Sequence, residues 1–333
     1  MNGKIKFGIG LFLLHCPTET HPWYKNLASF EMIKNVVLEA EKLGYYSVFL
    51  PDHIMYKEKG DYEVWTIASA LSSVTKKIRF HPLICNNFRA PSLLAKMTST
   101  LDVISGGRLE LGIGAGWLID EHEAYGYPFE PARTRIERLE ESIRLIKKMW
   151  TEDRATFKGK YYEIKGARCD PKPIQRPHPP INIGGSGTLL LKTVAKEADI
   201  CQPTVMASPP GVKRDAHLTL DEIKNRLELL RVYCREMGRD FDKIEKSIWR
   251  RTLIARDERE LEQKVSEIKP KNVPLEEFKS RRLIGTPEEC IEELKNYIDA
   301  GFTYFMISFL DSPDMGGMRL FAEEVLPHFQ PHS

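Results

Sequence analysis

Residues 101–117 read LDVISGGRLELGIGAGW. The stretch joins the end of a helical run (92–104) to a short apolar strand (108–113) and then, with no spacer, to a glycine loop closed by Trp117. Strands fed by crossover helices in this way must lie parallel. The fold therefore depends on how many such units the chain holds.

Upstream, residues 6–12, 47–50 and 78–84 read as strands, and 30–43 and 63–74 as helices, with Gly44 just past the first of them. Downstream, residues 133–150 form a long helix with Ile136, Leu139, Ile143, Ile146 and Trp150 on one face. The alternation breaks at 155–164, where Phe157 and residues 161–164 flank Lys158, Gly159 and Lys160 as a hairpin would. Prolines between 171 and 180 hold an extended connection to a fifth strand, 181–183. Gly184, Gly185, Ser186 and Gly187 lead from it into a helix over 189–196. A sixth strand (199–202), a loop through Pro209, Pro210 and Gly211, a helix (220–236), a seventh strand (248–254) and a helix (258–268) follow. Residues 269–282 are an irregular or helical excursion. Thr286, Pro287, Glu288 and Glu289 open the next helix as a capping box, and residues 304–309 supply the eighth strand.

Eight strands alternating with helices predict an α/β fold, a (β/α)8 TIM barrel, with residues 1–333 as one domain carrying insertions near 118–132, 151–180 and 269–286. The competing open, doubly wound sheet lacks its signature. No G-x-G-x-x-G follows the first strand, where Gly8 and Gly10 are embedded in the strand itself.

The 333 residues are 42% hydrophobic and 29% charged, which supports a large buried core. A net charge of +2, without a basic tract, argues against nucleic acid as a partner. The longest apolar runs fall far short of the roughly 20 residues of a spanning helix, and no cleavable signal opens the chain, so the cytoplasm is the expected location. Six dispersed cysteines and nine histidines show no metal-ligand spacing, so no metal is expected.

In a barrel the chemistry collects where strand C-termini meet their loops. Asp52 and His53 follow the second strand: a carboxylate beside an imidazole can exchange protons near neutrality, or can cap a loop. Gly112, Gly114 and Gly116, ahead of Trp117, either let a flat ring approach the backbone or pack strand on loop. Gly184, Gly185, Ser186, Gly187 and Thr188 run into a helix and read as a phosphate cradle in preference to a simple turn. Asn86, Asn87, Phe88, Arg89, Glu121, His122 and Lys192 read as solvated, capping or packing residues.

Leu101, Asp102, Ser105, Gly106, Gly107, Arg108 and Leu109, then Gly112, Gly114, Ala115, Gly116 and Trp117, resemble the luciferase-like superfamily, as do the helix over 133–150 and the cradle. Asp52 and His53 resemble the Asp-His pair of its coenzyme F420 branch, which includes sugar-phosphate and secondary-alcohol dehydrogenases and methylene-tetrahydromethanopterin reductases. The resemblance implies hydride transfer between deazaflavin C5 and a small organic substrate, with His53 exchanging the proton and Asp52 against the ring. It also implies a bulge with a non-proline cis peptide at Pro82 and Leu83, Cys85 near the ring, and Ala115, Gly116 and Asp120 bordering the cofactor. Gly184, Gly185, Gly187 and Thr188 would hold its phosphate side, and Trp117 would wall the substrate. A homodimer is implied as well. Where the sugar-phosphate dehydrogenases carry an active glutamate this chain has Trp117, and where the methylene reductases carry one it has Gly10. An FMN-dependent monooxygenase and a non-catalytic flavin-binding barrel are the alternatives.

Overall fold

In the computed structural model, which describes residues 4–12, 27–56, 59–203, 218–280 and 282–330, all eight expected strands are present. They are β1 (Lys6–Gly10), β2 (Ser47–Pro51), β3 (Arg79–Cys85), β4 (Leu111–Gly114), β5 (Ile181–Gly184), β6 (Ile200–Gln202), β7 (Glu245–Ile254) and β8 (Tyr304–Phe309). Each pairs in parallel with the next, and β8 returns to β1, so the sheet closes as the expected (β/α)8 barrel. Cys16 and the loop through Pro209, Pro210 and Gly211 lie outside the described residues.

Strand residues alternate between two buried faces, as a two-residue repeat requires. Phe7, Val48, Phe80, Leu111, Ile183 and Phe305 point outward into the main core. There they meet the helices α1 (Phe30–Lys42), α2 (Val64–Val74), α3 (Pro91–Ser105), α4 (Ala132–Thr151), α5 (Thr188–Glu197) and α6 (Leu220–Glu236), and α8 (Pro287–Asp299) and α9 (Gly316–Glu324), while α7 (Glu258–Ile268) packs in a separate cluster with Leu253, Ala255, Phe278 and Leu310. Phe49, Ile200, Trp249, Tyr304 and Met306 point inward and, with Phe12, fill the cylinder. Capping boxes start α6 at Thr219 and, as expected, α8 at Thr286. The hairpin is present as Ala155–Lys158 against Glu163–Ala167; Glu141 of α4 ties it down by accepting from the Lys160 and Tyr161 amides at 2.7 and 2.9 Å.

The register aligns the upper rim. Pro51 lies opposite Leu83, Leu83 opposite Gly112, Cys85 opposite Gly114, and Gly184 opposite Gln202. β6 and β7 share only two rungs, Ile200–Glu245 and Cys201–Lys246. Near its C-terminal end β7 pairs instead with Leu283–Gly285, a ninth strand too short for its three residues to show a periodicity.

The cis peptide expected at Pro82 and Leu83 is not there. Among the described residues the cis bonds are Asp170–Pro171, Arg176–Pro177 and Ser312–Pro313, each preceding a proline. β3 stays in unbroken register with β2 from Arg79 to Leu83, and the Leu83 carbonyl accepts from the Asp52 amide at 3.0 Å. Ladders on both sides hold the backbone extended, and nothing offsets the roughly 3 kcal/mol that a non-proline cis bond costs.

Candidate active site

At the end of β2 the chain turns, and Asp52 is buried to 5% exposure. Arg89, just past the 3₁₀ turn Asn86–Phe88, donates to both carboxylate oxygens at 2.6 and 3.0 Å, and the Cys85 amide donates to Oδ2 at 3.1 Å. Burial raises the Asp52 carboxyl from its ordinary range, against Arg89 and the Cys85 amide, which favour the anion. Arg89 is itself raised: burial opposes its charge, but the carboxylates of Asp52 and Glu63 prevail. A buried aspartate needs such a partner, a requirement that calls for a cation without saying which one.

His53 is also buried, and its ring lies 5.2 Å from that of Tyr56 and 5.8 Å from that of Trp117. Its Nδ1 is 3.2 Å from both carboxylate oxygens of Glu121. The Ile54 amide donates to the same carboxylate at 3.2 Å. Glu121 and His122, expected as solvated, capping or packing residues, are buried on a short helix, Ile119–Ala124. Six residues are too few for a hydrophobic period to show, which is why the sequence reading passed over them.

His122 faces the other way. Its Nδ1 donates to the Leu118 carbonyl at 2.7 Å, so Nε2 is the acceptor facing the Asn87 amide at 3.3 Å and the Cys85 thiol at 3.8 Å. Burial lowers the His122 pKa and pushes the Cys85 thiol far up, so the sulfur is held as a neutral thiol. Gly116 sits among these groups at φ +78°, where an added Cβ would stand 2.9 Å from Cys85 Sγ. Ala115 accepts from the Asn87 amide at 3.3 Å. Asp120 is exposed on the short helix and enters none of these contacts, and Lys192 lies over the Tyr233 ring.

The glycine cradle lies on the same rim. A Cβ at Gly184 would be 3.7 Å from Leu83 Cδ1 and 3.8 Å from Gln202 Oε1, and one at Gly114 would be 3.9 Å from the Gly184 carbonyl. Gly185 has φ +132° and donates its amide to the Gln202 carbonyl at 2.9 Å. Gly187 caps α5 without a side chain, and the first helical backbone bond runs from the Leu191 amide to the Gly187 carbonyl. The amides of Thr188, Leu189 and Leu190 are thus left for an anion, beside exposed Gly187 and Thr188. A Cβ at Gly187 would meet nothing within 4 Å.

Below the rim a polar network shares the barrel interior with the apolar side chains that fill it. Glu110, ahead of β4, accepts from Arg79 Nε at 2.9 Å, Tyr46 OH at 3.0 Å and Tyr304 OH at 3.0 Å, and lies 3.2 Å from His81 Nδ1. Burial alone would raise Glu110, but His81, Arg79 and Lys6 outweigh it and hold the carboxyl at about 2. His81 Nε2 lies 3.0 Å from the Asn182 amide, which donates to Gln202 at 3.3 Å. Gly112 makes room: a Cβ there would be 2.9 Å from His81 Nε2.

Among the described residues no cluster of three or more His, Cys, Asp or Glu is placed to hold a metal, and no helix is long and apolar enough to cross a membrane.

A family model described as luciferase-like monooxygenase matches residues 10–272. The chain is 25% identical over 309 residues to an F420-dependent glucose-6-phosphate dehydrogenase of Amycolatopsis mediterranei (strain U-32), covering 87% of this chain and 92% of that one. It is 35% identical over 144 residues to an FMNH(2)-dependent dimethylsulfone monooxygenase of Pseudomonas putida, covering 43% of this chain and 40% of that one. In fold it is similar to an F420-dependent secondary alcohol dehydrogenase in complex with an F420-acetone adduct, at a TM-score of 0.76 and 22% identity, covering 97% of this chain and 98% of that one. A long-chain alkane monooxygenase superposes at a TM-score of 0.81 with 15% identity, covering 98% of this chain and 91% of that one.

Proposed function

Because the chain belongs to the luciferase-like monooxygenase family, we propose that it is an F420-dependent oxidoreductase acting on a small organic substrate. The observation that carries the reading is one rim holding both a buried Asp52–His53 pair and, across Leu83 and Gly114, an uncapped helix N-terminus opened by glycines. Near-full-length similarity to the F420-dependent glucose-6-phosphate dehydrogenase supports it.

The residues present suit the cofactor. Gly184, Gly185, Gly187 and Thr188 would hold its phosphate side on the α5 amides, while Asp52, Pro82, Leu83, Cys85, Ala115 and Gly116 would border its ring. When bound, a deazaflavin supplies the carbon that gains or loses a hydride. His53 exchanges the accompanying proton at the rim, and Trp117, edge-on to His53, walls the substrate. The protein's share is alignment and exclusion of water. Asp120, exposed on its short helix, has the weakest claim of the proposed contacts.

The same cradle suits the single phosphate of FMN, and the local 35% identity to the FMNH(2)-dependent enzyme favours that second reading. Fluorescence and absorbance titration of the purified protein with F420 and with FMN separates them. Tighter F420 binding is expected; tight FMN retention with NADH-dependent oxygen uptake would reverse the assignment. Binding without turnover on a broad substrate panel would leave a non-catalytic flavin-binding barrel. The reading takes the chain as one cytoplasmic barrel unit and a homodimer, to be checked by sedimentation. Residues 125–131, the hairpin near Tyr161 and residues 269–282 would select the substrate.

A further inference from the structure

We propose that Glu121 is a positioning residue that holds His53 in the tautomer protonated on Nδ1, leaving Nε2 as the atom that exchanges the proton. The inference rests on the reading of His53 given above. Both carboxylate oxygens of Glu121 lie 3.2 Å from Nδ1, and the two side chains are only 3% and 9% exposed. The Ile54 amide pins the same carboxylate at 3.2 Å, so the backbone next to the histidine orients its partner. An ionised carboxylate only accepts, so Nδ1 must donate, and in the neutral ring the lone pair then falls on Nε2. Among the described residues Nε2 has no hydrogen-bond partner.

Sequence proximity points to the wrong carboxylate. Asp52 is the immediate neighbour of His53, yet its oxygens are taken by Arg89 and the Cys85 amide. The orienting group comes instead from 68 residues away, on the short helix Ile119–Ala124. Trp117 and Tyr56 flank the ring and limit its rotation away from Glu121. A ring so held presents one fixed atom for proton exchange, and losing the right tautomer removes that atom even where the ring stays in place.

The test is the ring ¹⁵N spectrum of the purified protein labelled at histidine, recorded at alkaline pH, with His53→Ala identifying the signal. The Nδ1–H pattern is expected for His53; an Nε2–H pattern in the unaltered protein overturns the proposal without any variant. Glu121→Ala is expected to move the proton to Nε2, the form an unconstrained neutral histidine favours, and to lower kcat about 10²-fold, the lower end of what a positioned acid or base contributes. Retention of the Nδ1–H pattern in Glu121→Ala would also overturn it. If F420 fails to bind while His53 shows Nδ1–H, the cofactor reading falls and the Glu121 assignment stands. If F420 binds and His53 shows Nε2–H, the Glu121 assignment alone falls.

Discussion

Arg89→Met tests whether the Asp52 site is held by its ion pair. The substitution keeps most of the apolar stem and removes a guanidinium that meets Asp52 at 2.6 and 3.0 Å, with the two side chains 10% and 1% exposed. Breaking a buried pair by removing one partner typically costs about 3–5 kcal/mol. Asp52 keeps the Cys85 amide as a donor, so the lower end, about 3 kcal/mol at pH 7, is expected. The lost contact to Glu63 adds little, because that carboxylate is 42% exposed. The pH dependence gives the sign. Burial already raises Asp52 above 3.8 in the folded protein, and losing Arg89 raises it further. A carboxyl with a raised folded-state pKa binds its proton more tightly folded than unfolded, so stability rises as pH falls toward 3.8. Each pH unit across that window restores up to about 1.4 kcal/mol. Urea unfolding at pH 7 and pH 5 should therefore show the gap between variant and parent closing by up to roughly 2.7 kcal/mol. A variant within 0.5 kcal/mol of the parent at pH 7, about the scatter of a neutral surface change, or a gap that widens on acidification, refutes the reasoning.

His53→Ala is expected to lower turnover by about 10²-fold or more while leaving cofactor affinity nearly unchanged, measured by steady-state kinetics beside the fluorescence titration; equal turnover removes His53 from the chemistry. Gly185→Ala places a Cβ against Leu190 at φ +132° and should cost about 1–3 kcal/mol in thermal or urea unfolding and weaken cofactor binding, whereas an unchanged affinity would detach the cradle from the ligand. Glu110, held at about 2 against an ordinary 4.5, contributes stability that is complete above pH 4.5 and is lost as pH falls from there to about 2. The contribution is on the order of 3 kcal/mol, so Glu110→Gln should flatten the acid limb of the stability profile between pH 5 and pH 2.5.

The barrel was legible because its strands sit between two buried layers and its helices carry one-sided apolar faces, patterns that eight repeats reinforce. Leu283–Gly285 and Ile119–Ala124 were not, because three or six residues cannot display a period. Of the candidate site, the residues that directly follow a strand were proposed from position: Asp52, His53, Ala115, Gly116, Trp117 and the run from Gly184 to Thr188. Their partners were missed. Arg89, Glu121 and His122 acquire meaning only through contacts 37, 68 and 37 residues apart, which the closure of the barrel creates and local spacing does not record. The cis bond expected at Pro82 and Leu83 failed for the converse reason: it came from resemblance, while the ladder around Leu83 is specific to this chain.

A ring of strands resists opening only as well as its weakest joint. β8 is fastened by six rungs to β7 and four to β1, whereas β6 and β7 are fastened by two. Transient breathing of the cylinder should therefore gather at that joint, with the amides of β6 trading hydrogen for deuterium ahead of those in β8. The joint adjoins the strand that bears the glycine turn, through the Gly185 amide on the Gln202 carbonyl. An anion seated on that turn would act as a clasp, slowing isotope uptake in β5 and β6 while β8 stays as it was.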